Sequence, residues 1–371
     1  MKILVTGGAG FIGSYVCEAL LRQGHEVIVL DNLDPQIHGP DAHWPAYMPD
    51  GTENHIGDVR DRELLRSLLA RSDAVIHLAA AVGVGQSMYK IEHYCSVSVI
   101  GTAILLEEMI PLRQQIKKLI VASSMSIYGE GAYRDAEGQI VCPASRSISQ
   151  LKEGRWEPND ALGRPLTPIP TPETKPLKPD SIYAVNKRDQ EEMCLAFGRA
   201  YGIPSVALRM FNVYGARQAL SNPYTGVVAI FCSCLMQNRS LIVFEDGEQR
   251  RDFVHVEDVA RAYVLALEND GADGLSLNLG SGQSVSVNEI AKLLAAAMGK
   301  PCRPEIAGKY RDGDIRHCFA DVSLIKEKLG WVPHYEFQSG IGTVLRWVLS
   351  QTDVKAMGDS YAELKALGLL K

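Results

Sequence analysis

The sequence predicts an α/β fold, a doubly wound parallel sheet followed by a smaller C-terminal lobe of mixed α/β structure. Two observations support this prediction. A glycine-rich turn joins the first strand to the first helix, and continuous apolar strands alternate with helices over the first half of the chain. Such strands are typical of parallel sheets with both faces covered. We expect residues 1–210 to form the sheet domain, with a long insertion at 130–182. Residues 211–371 should form the lobe, interleaved with the last strands of the sheet.

The first thirteen residues, MKILVTGGAGFIG, place three glycines between an apolar strand and a helix. Gly7 allows a sharp turn, Gly10 allows a pyrophosphate to approach the backbone, and Gly13 allows the helix to pack against the strand. The free N–H groups at the helix start, around Phe11 and Ile12, then face the phosphates. The pattern therefore predicts a dinucleotide-binding site.

An acidic residue at the end of the second strand strengthens this interpretation. That strand, His25–Leu30, runs into Asp31 and Asn32. A carboxylate at this distance from the glycines binds a ribose 2′-hydroxyl and repels a 2′-phosphate. The sequence therefore favours NAD over NADP, and we expect Asp31 and Asn32 to lie at the NAD site.

The composition restricts the class of protein. A formal net charge of -6 argues against a general binder of nucleic acid backbones, so we expect no nucleic acid partner. We find no uninterrupted apolar run of membrane-spanning length and no signal peptide, which predicts a cytoplasmic protein without a membrane partner. The 8 cysteines are scattered and form no C-x-x-C pair, which is typical of buried, reduced thiols.

The remaining elements follow in order. A polar loop leads to a short strand that ends at Gly57-Asp58-Val59, and positions 130–182 interrupt the alternation, as functional or disordered loops do. Helices and strands of the first part are predicted at Asp61–Ala70, Ala74–Leu78, about Glu92–Pro111, Leu119–Ser123, Ser181–Tyr201 and Ser205–Met210. Helices of the last part are predicted near Pro223–Gln237, Val256–Glu268, Ser286–Met298 and Val322–Leu329.

Candidate catalytic residues follow the fifth strand and begin a later helix. Ser124 and Ser126 lie at the carboxyl edge of the sheet, where ligands bind in such folds. Tyr183 and Lys187 are four residues apart in a helix and share a face. A nearby cation favours phenolate over phenol, so we expect Lys187 to lower the pKa of Tyr183. Tyr183 would act as general base, and Ser124 would bind the same substrate hydroxyl.

Together these motifs resemble the extended short-chain dehydrogenases/reductases, in the branch of NAD-dependent nucleotide-sugar epimerases and dehydratases. The resemblance covers almost the whole chain apart from the insertion and implies a Rossmann sheet with bound NAD. It implies that Lys187 also holds the nicotinamide ribose and that the Tyr183 helix and the preceding helix form a homodimer interface. Further residues that it places at the cofactor are Asp58 on the adenine amino group, Val59, and Leu78, Ala79 and Ala80 against the pyrophosphate.

The same resemblance implies a dTDP- or UDP-sugar substrate. The stretch RMFNVYG, residues 209–215, is similar to a family motif whose Asn, here Asn212, contacts the sugar-nucleotide diphosphate. Two further motifs, RRDFVHVED and YRDGD, place Arg251 and Arg311 there. Arginine matches phosphate oxygens with paired donors. Ser124 and Ser126 complete the implied substrate site.

The reaction is indicated by the residues after Ser124. The family's 4,6-dehydratases resemble T-D-E-x-Y-G here, with an acid and a base, whereas this chain has Met125 and Ser126. Methionine cannot transfer a proton, and Ser126 also replaces the Glu of the decarboxylases. The form S-S-x-S-x-Y-G resembles the 4-epimerases, which remove hydride from C4, rotate the 4-keto sugar and return the hydride to its other face.

Segments 151–158, 170–173 and 219–226 are similar to the dTDP-L-rhamnose 4-epimerases, which make dTDP-6-deoxy-L-talose. Some relatives carry C-x-x-C pairs in the insertion, but this chain keeps only Cys142, so no metal is predicted. The alternatives left open are a UDP-glucose or UDP-N-acetylglucosamine 4-epimerase, a nucleotide-sugar 4,6-dehydratase and a non-catalytic NAD-binding sensor. The insertion also has an alternative, a variable surface segment without a role at the substrate.

Overall fold

A seven-stranded parallel sheet forms the centre of the protein in the computed structural model, which describes residues 1–40, 43–143, 145–219, 226–310, 314–350 and 366–367. Its strands, β1 to β7 in chain order, are Lys2–Thr6, Glu26–Asp31, Thr52–Ile56, Ala74–His77, Lys118–Ser124, Ser205–Met210 and Ser276–Leu279. Their spatial order is β7-β6-β5-β4-β1-β2-β3. The order reverses between β1 and β4, which opens a crevice at the carboxyl ends of these strands. The predicted fold class is confirmed.

Helices cover both faces of the sheet. The longer helices, α1 to α9, are Phe11–Arg22, Arg62–Leu69, Ile91–Leu112, Ile182–Tyr201, Val227–Met236, Val256–Glu268, Val287–Ala297, Ser323–Leu329 and Phe337–Ser350. Short helical turns occupy Pro35–His38, Val84–Ser87, Met125–Tyr128, Ile148–Lys152 and Asp270–Ala272. The core on one face packs α1 and α6 against the sheet, and the core on the other face packs α2, α3 and α4. This double cover explains why the inner strands are continuously apolar.

The third helix, α3, is long and apolar. With 22 residues and a mean hydropathy of 1.6, it is the one helix within the described ranges that has the length and composition to cross a membrane. It contains a π-helical segment, Cys95–Ile100, and side chains such as Leu105 and Met109 are buried in the core beside α2 and α4. Its place against the sheet thus accounts for the part of its apolar surface that is buried, 44% of the most apolar window.

The smaller lobe has its own core. Helices α5, α7 and α9 enclose it, and it is completed by short strands at Asn212–Tyr214, Leu241–Val243, Arg250–Arg251, Phe253–His255, Val285–Ser286, Pro304–Ile306 and His317–Cys318. Sequence analysis did not predict α9. Its apolar residues nevertheless recur at helical spacing, with Phe337, Ile341, Val344 and Val348 all buried on the lobe side.

The insertion is folded rather than irregular. It forms a three-stranded antiparallel sheet from Ala132–Arg134, Ile140–Val141 and Thr167–Ile169. Strands of two or three residues are too short to produce a visible hydrophobic period. Sequence patterning therefore missed this sheet.

A buried charge cluster joins the insertion to the lobe. The side chain of Arg316 is 1% exposed and donates to Glu157 of the insertion at 2.8 Å and to Glu245 of the lobe at 3.0 Å. Arg146 of the insertion donates to Glu245 at 2.8 Å and to the carbonyl of Asp314 at 2.9 Å. Each buried charge thus has a partner, as burial in low dielectric requires.

We predict that Arg316→Met lowers the free energy of unfolding by about 3 kcal/mol, because it removes the buried guanidinium that joins Glu157 and Asp246 and leaves the buried carboxylate of Glu245 with Arg146 alone. The measurement is urea denaturation followed by circular dichroism. The matched control is Arg164→Met, which removes an exposed pair with Glu137 and Asp160 within the insertion and should change stability little. Equal losses in the two variants would contradict the role given to the buried cluster.

Candidate active site

A large cavity lies at the carboxyl edge of the sheet, between the sheet and the lobe. Its volume is about 1140 Å³, whereas pockets for one small ligand usually occupy roughly 300–1,000 Å³. It therefore has room for more than one small ligand. The sequence-predicted residues in its wall are Gly7, Gly10, Phe11, Ile12, Gly13, Asp31, Asn32, Asp58, Val59, Leu78, Ala79, Ala80, Ser124, Ser126, Tyr183, Lys187 and Asn212.

The three glycines of the turn have different surroundings. Gly7 has φ +73°, and a Cβ there would lie 2.8 Å from the backbone nitrogen of Ala79. A Cβ on Gly13 would lie 2.3 Å from the carbonyl oxygen of Gly7. A Cβ on Gly10 would meet only that oxygen, at 3.4 Å. Gly7 and Gly13 are thus required by the fold, whereas Gly10 leaves space in the cavity wall for a ligand.

Two carboxylates lie at the β2–β3 end of the cavity. Asp31 accepts hydrogen bonds from the backbone N–H groups of Ala9 and Leu33, at 3.0 and 2.9 Å. Burial raises the pKa of Asp31, and these hydrogen bonds oppose that shift. Asp58 is held by the guanidinium of Arg60 at 2.8 and 2.7 Å, a contact that lowers the pKa of Asp58. Sequence analysis had not singled out Arg60.

The predicted catalytic residues meet at the carboxyl end of β5. Ser124 Oγ accepts hydrogen bonds from the backbone N–H of Ser126 at 3.2 Å and from its hydroxyl at 2.9 Å. Hydrogen bonding to the Ser124 hydroxyl also acts to lower the pKa of Tyr183. Lys187 Nζ donates to the carbonyl of Ala122 at 3.0 Å, which anchors it beside the end of the strand.

The protein alone does not produce the expected lowering of the tyrosine pKa. Burial raises the pKa of Tyr183, and the hydrogen bond to Ser124 offsets this only in part. Burial also lowers the pKa of Lys187, to about 8. The expected lowering took account of the charge of Lys187 but not of the loss of hydration that both side chains undergo in the cavity wall. Among the described residues, Lys187 therefore does not produce the expected lowering of the Tyr183 pKa.

A buried ion pair positions the helix that carries Tyr183 and Lys187. Glu191, further along α4, accepts from Arg209 of β6 at 2.6 Å and from the Ser123 hydroxyl at 2.5 Å. Both members of the pair are almost fully buried. Glu191 follows Lys187 by one helical turn, so the same helix face carries the anchor and the catalytic side chains. No local signal in the sequence marked Glu191.

The predicted substrate-binding residues have different positions. Asn212 lies in the cavity wall, and its buried Oδ1 has no hydrogen-bond partner among the described residues. A buried acceptor of this kind suits a polar ligand. Arg251 is not among the described wall residues, because its guanidinium donates to the backbone carbonyls of Arg250, Ile315 and Arg316 at 2.9, 2.6 and 2.8 Å. Arg311 lies outside the described residues.

Comparison with known proteins gives a consistent result. The family model described as the NAD dependent epimerase/dehydratase family matches residues 3–147 and 161–280. The chain is 38% identical to the dTDP-L-rhamnose 4-epimerase of Burkholderia thailandensis over 357 residues, which is 95% of this chain and 96% of the relative.

Two solved structures are similar over nearly the whole chain. The UDP-glucose 4-epimerase of Thermotoga maritima with UDP-glucose has a TM-score of 0.76 and 31% identity, covering 95% of this chain and 100% of that one. The UDP-glucose 4-epimerase of Thermus thermophilus in complex with NAD has a TM-score of 0.74 and 30% identity, with the same coverage of both chains.

The different surroundings of Gly10 and Gly13 predict that a substitution at Gly10 affects ligand binding and that one at Gly13 affects folding. Gly10→Ala should fold with nearly unchanged thermal stability but lose affinity for NAD, because the methyl group enters the space left for the phosphates. Gly13→Ala should fail to fold, since its Cβ overlaps backbone atoms. Circular dichroism melting and calorimetric titration with NAD measure the two properties.

The control is Gly342→Ala in α9, where a Cβ would meet only the end of a flexible side chain at 3.7 Å. It should leave both properties unchanged. Wild-type NAD affinity in Gly10→Ala would show that this part of the turn does not face the ligand.

Proposed function

The chain belongs to the NAD-dependent epimerase/dehydratase family, and on this premise we propose that it converts dTDP-L-rhamnose to dTDP-6-deoxy-L-talose. The family resemblance expected from the motifs is confirmed. The protein is an NAD-dependent isomerase, a nucleotide-sugar 4-epimerase. The identities of the sugar and of the nucleotide base are our proposal, because UDP-sugar 4-epimerases are also similar to the chain.

The cavity fits the NAD of this family. The open side of Gly10, at the start of α1, gives a pyrophosphate access to backbone N–H groups and to the positive end of the helix dipole. We assign Asp31 to the adenosine ribose, Asp58 to the adenine amino group and Lys187 to the nicotinamide ribose. When bound, NAD supplies the acceptor and the donor of the hydride.

The proton transfer is assigned to Tyr183. As a phenolate it would take the proton of the sugar C4 hydroxyl, and as the resulting phenol it would return that proton when the 4-keto sugar is reduced from the other face. Ser124 orients the sugar hydroxyl, and Ser126 holds Ser124 through two hydrogen bonds. The position of Ser124, Tyr183 and Lys187 together in the wall of one cavity is the observation that supports this assignment most directly.

The distribution of acids favours epimerisation over dehydration. The carboxylates in the described part of the cavity wall are Asp31, Asp34 and Asp58, which all follow β2 or β3. Next to Ser124 the chain has Met125 and Ser126 instead. Elimination of water needs an acid and a base beside the sugar. A 4-epimerase needs no acid or base beside the sugar other than Tyr183.

The sugar end of the cavity supports a deoxysugar. Val82, Val84, Met125 and Phe211 line the cavity, and we assign them to the sugar because Met125 adjoins Ser124. A methyl group at C6 suits apolar walls better than a hydroxymethyl group, whose oxygen would lose hydration without gaining a partner. The identity to the dTDP-L-rhamnose 4-epimerase, 38%, points to the same substrate.

We expect purified protein to convert dTDP-L-rhamnose without added reductant. Proton NMR should show a new anomeric signal that grows to an equilibrium mixture, without net formation of NADH. UDP-glucose and UDP-N-acetylglucosamine serve as comparison substrates. Turnover of a UDP-sugar but not of dTDP-L-rhamnose would keep the reaction and refute the proposed substrate.

The control variant is Tyr183→Phe, which keeps the ring and removes the hydroxyl. Its turnover should fall by about 10²–10⁴-fold, the usual contribution of a general acid–base group. Calorimetric titration should show that its NAD affinity is retained. Unchanged turnover would overturn the assignment of Tyr183.

We also propose a homodimer through α3 and α4. Apolar side chains on these helices are exposed, among them Ile91, Ile100 and Val185. Light scattering should give the mass of a dimer, and the double variant Ile100→Lys, Val185→Lys should give a monomer because it places charges on that surface. Ile140→Lys, at an exposed apolar residue of the insertion, is the control and should remain dimeric. A monomeric wild-type protein would refute the proposal.

A further inference from the structure

An arginine at the edge of the cavity lies between two tyrosine rings. The guanidinium carbon of Arg217 is 4.1 Å from the ring centroid of Tyr15 and 5.3 Å from that of Tyr47. Its nitrogens donate to Glu18 at 2.5 Å and to the Ser14 hydroxyl at 3.3 Å. Tyr15, Glu18 and Ser14 belong to α1, the helix that follows the glycine turn. Tyr47 comes from the loop between β2 and β3.

Tyr47 also contacts the glycine-rich turn itself. Its hydroxyl donates to the carbonyl of Ala9 at 3.2 Å, between the first and second glycines of the motif. Its ring meets Trp347 of α9 edge-to-face, with centroids 6.1 Å apart. Burial raises the pKa of Tyr47 to about 12, so the hydroxyl remains a donor at neutral pH. Segments far apart in the chain therefore converge on the phosphate-binding turn.

Two observations indicate that this arrangement serves a ligand. Arg217 has φ +69°, a left-handed conformation that is unusual for a residue with a side chain and often marks functional sites. Trp347 lies in the cavity wall, and its buried Nε1 has no hydrogen-bond partner among the described residues. Within the described wall, Arg217 and Lys187 are also the only arginine and lysine.

We propose that Tyr47, Arg217 and Trp347 form a clasp that retains the dinucleotide on the glycine turn throughout turnover. This inference rests on the proposed function. A 4-epimerase has no net redox change, so a cofactor that left while the 4-keto sugar was present would leave the reaction unfinished. A cover built from the loop after β2, the segment after β6 and α9 would prevent that loss. These three are positioning residues, because they act on retention and not on the reacting atoms.

The test measures exchange of bound NAD for isotopically labelled NAD, without substrate. Arg217→Ala should exchange roughly tenfold faster or more, since it removes both cation–π contacts and the ion pair. Arg217→Lys should also exchange faster, because lysine keeps the charge but cannot stack with a planar group between two rings. Excess NAD should restore turnover in both variants, which a general structural defect would not allow.

The matched control is Arg22→Ala. Arg22 pairs with the same Glu18 at 3.1 Å but is largely exposed and is not part of the cavity wall. Its exchange rate should equal that of the wild type. An equal acceleration in Arg22→Ala would assign the effect to Glu18 and overturn the clasp, as would a wild-type exchange rate in Arg217→Ala.

Tyr47→Phe and Trp347→Leu repeat the test if Arg217→Ala does not fold. Tyr47→Phe removes the hydrogen bond to Ala9 and keeps the ring, so its acceleration should be smaller than that of Trp347→Leu. Wild-type exchange in both would refute the proposal. Because the exchange measurement contains no sugar, its result does not depend on which nucleotide sugar is the substrate. A wrong substrate and a wrong clasp therefore give different outcomes.

Discussion

The buried ion pair of Glu191 with Arg209 determines where the catalytic side chains lie. Tyr183 and Lys187 are on α4, and that helix is anchored to β5 and β6 by the Glu191 carboxylate. Loss of one partner would leave a buried charge, which typically costs about 3–5 kcal/mol. A small rotation of α4 would also separate the Tyr183 hydroxyl from Ser124 on β5. The general base and its strand partner thus depend on one contact that takes no part in the reaction.

A chain of hydrogen bonds links the ion pair of Glu191 and Arg209 to the insertion. Arg209 also donates to the Tyr128 hydroxyl at 2.8 Å, and Tyr128 donates to Asn278 of β7 at 2.7 Å. The backbone N–H of Asn278 in turn donates to Glu173 of the insertion at 2.8 Å. On its other side the insertion is joined to the lobe through Arg316. It therefore links the sheet edge to the lobe, with the cavity between them, which a loop without a structural role would not do.

The sequence predicted features that depend on local pattern. The glycine turn requires fixed spacing, and the pairing of Tyr183 with Lys187 follows from helical periodicity, so the amino-acid order alone locates both. Glu191 and Arg316 could not be located in this way, because their partners are distant in sequence and nothing local distinguishes them from surface charges. The pKa of Tyr183 was misjudged for a related reason. Charge proximity can be inferred from spacing, whereas the degree of burial depends on the whole fold.

Burial connects cofactor retention with the acid–base chemistry. It raises the pKa of Tyr183 and lowers that of Lys187 to about 8, so burial shifts both groups toward their neutral forms. Formation of the phenolate then needs further positive charge in the cavity, and the oxidised nicotinamide ring carries such a charge. A site that lost its dinucleotide would lose the hydride acceptor and also the electrostatic support for its base. Tight retention of the cofactor is thus a requirement of the proton transfer as well as of the hydride transfer.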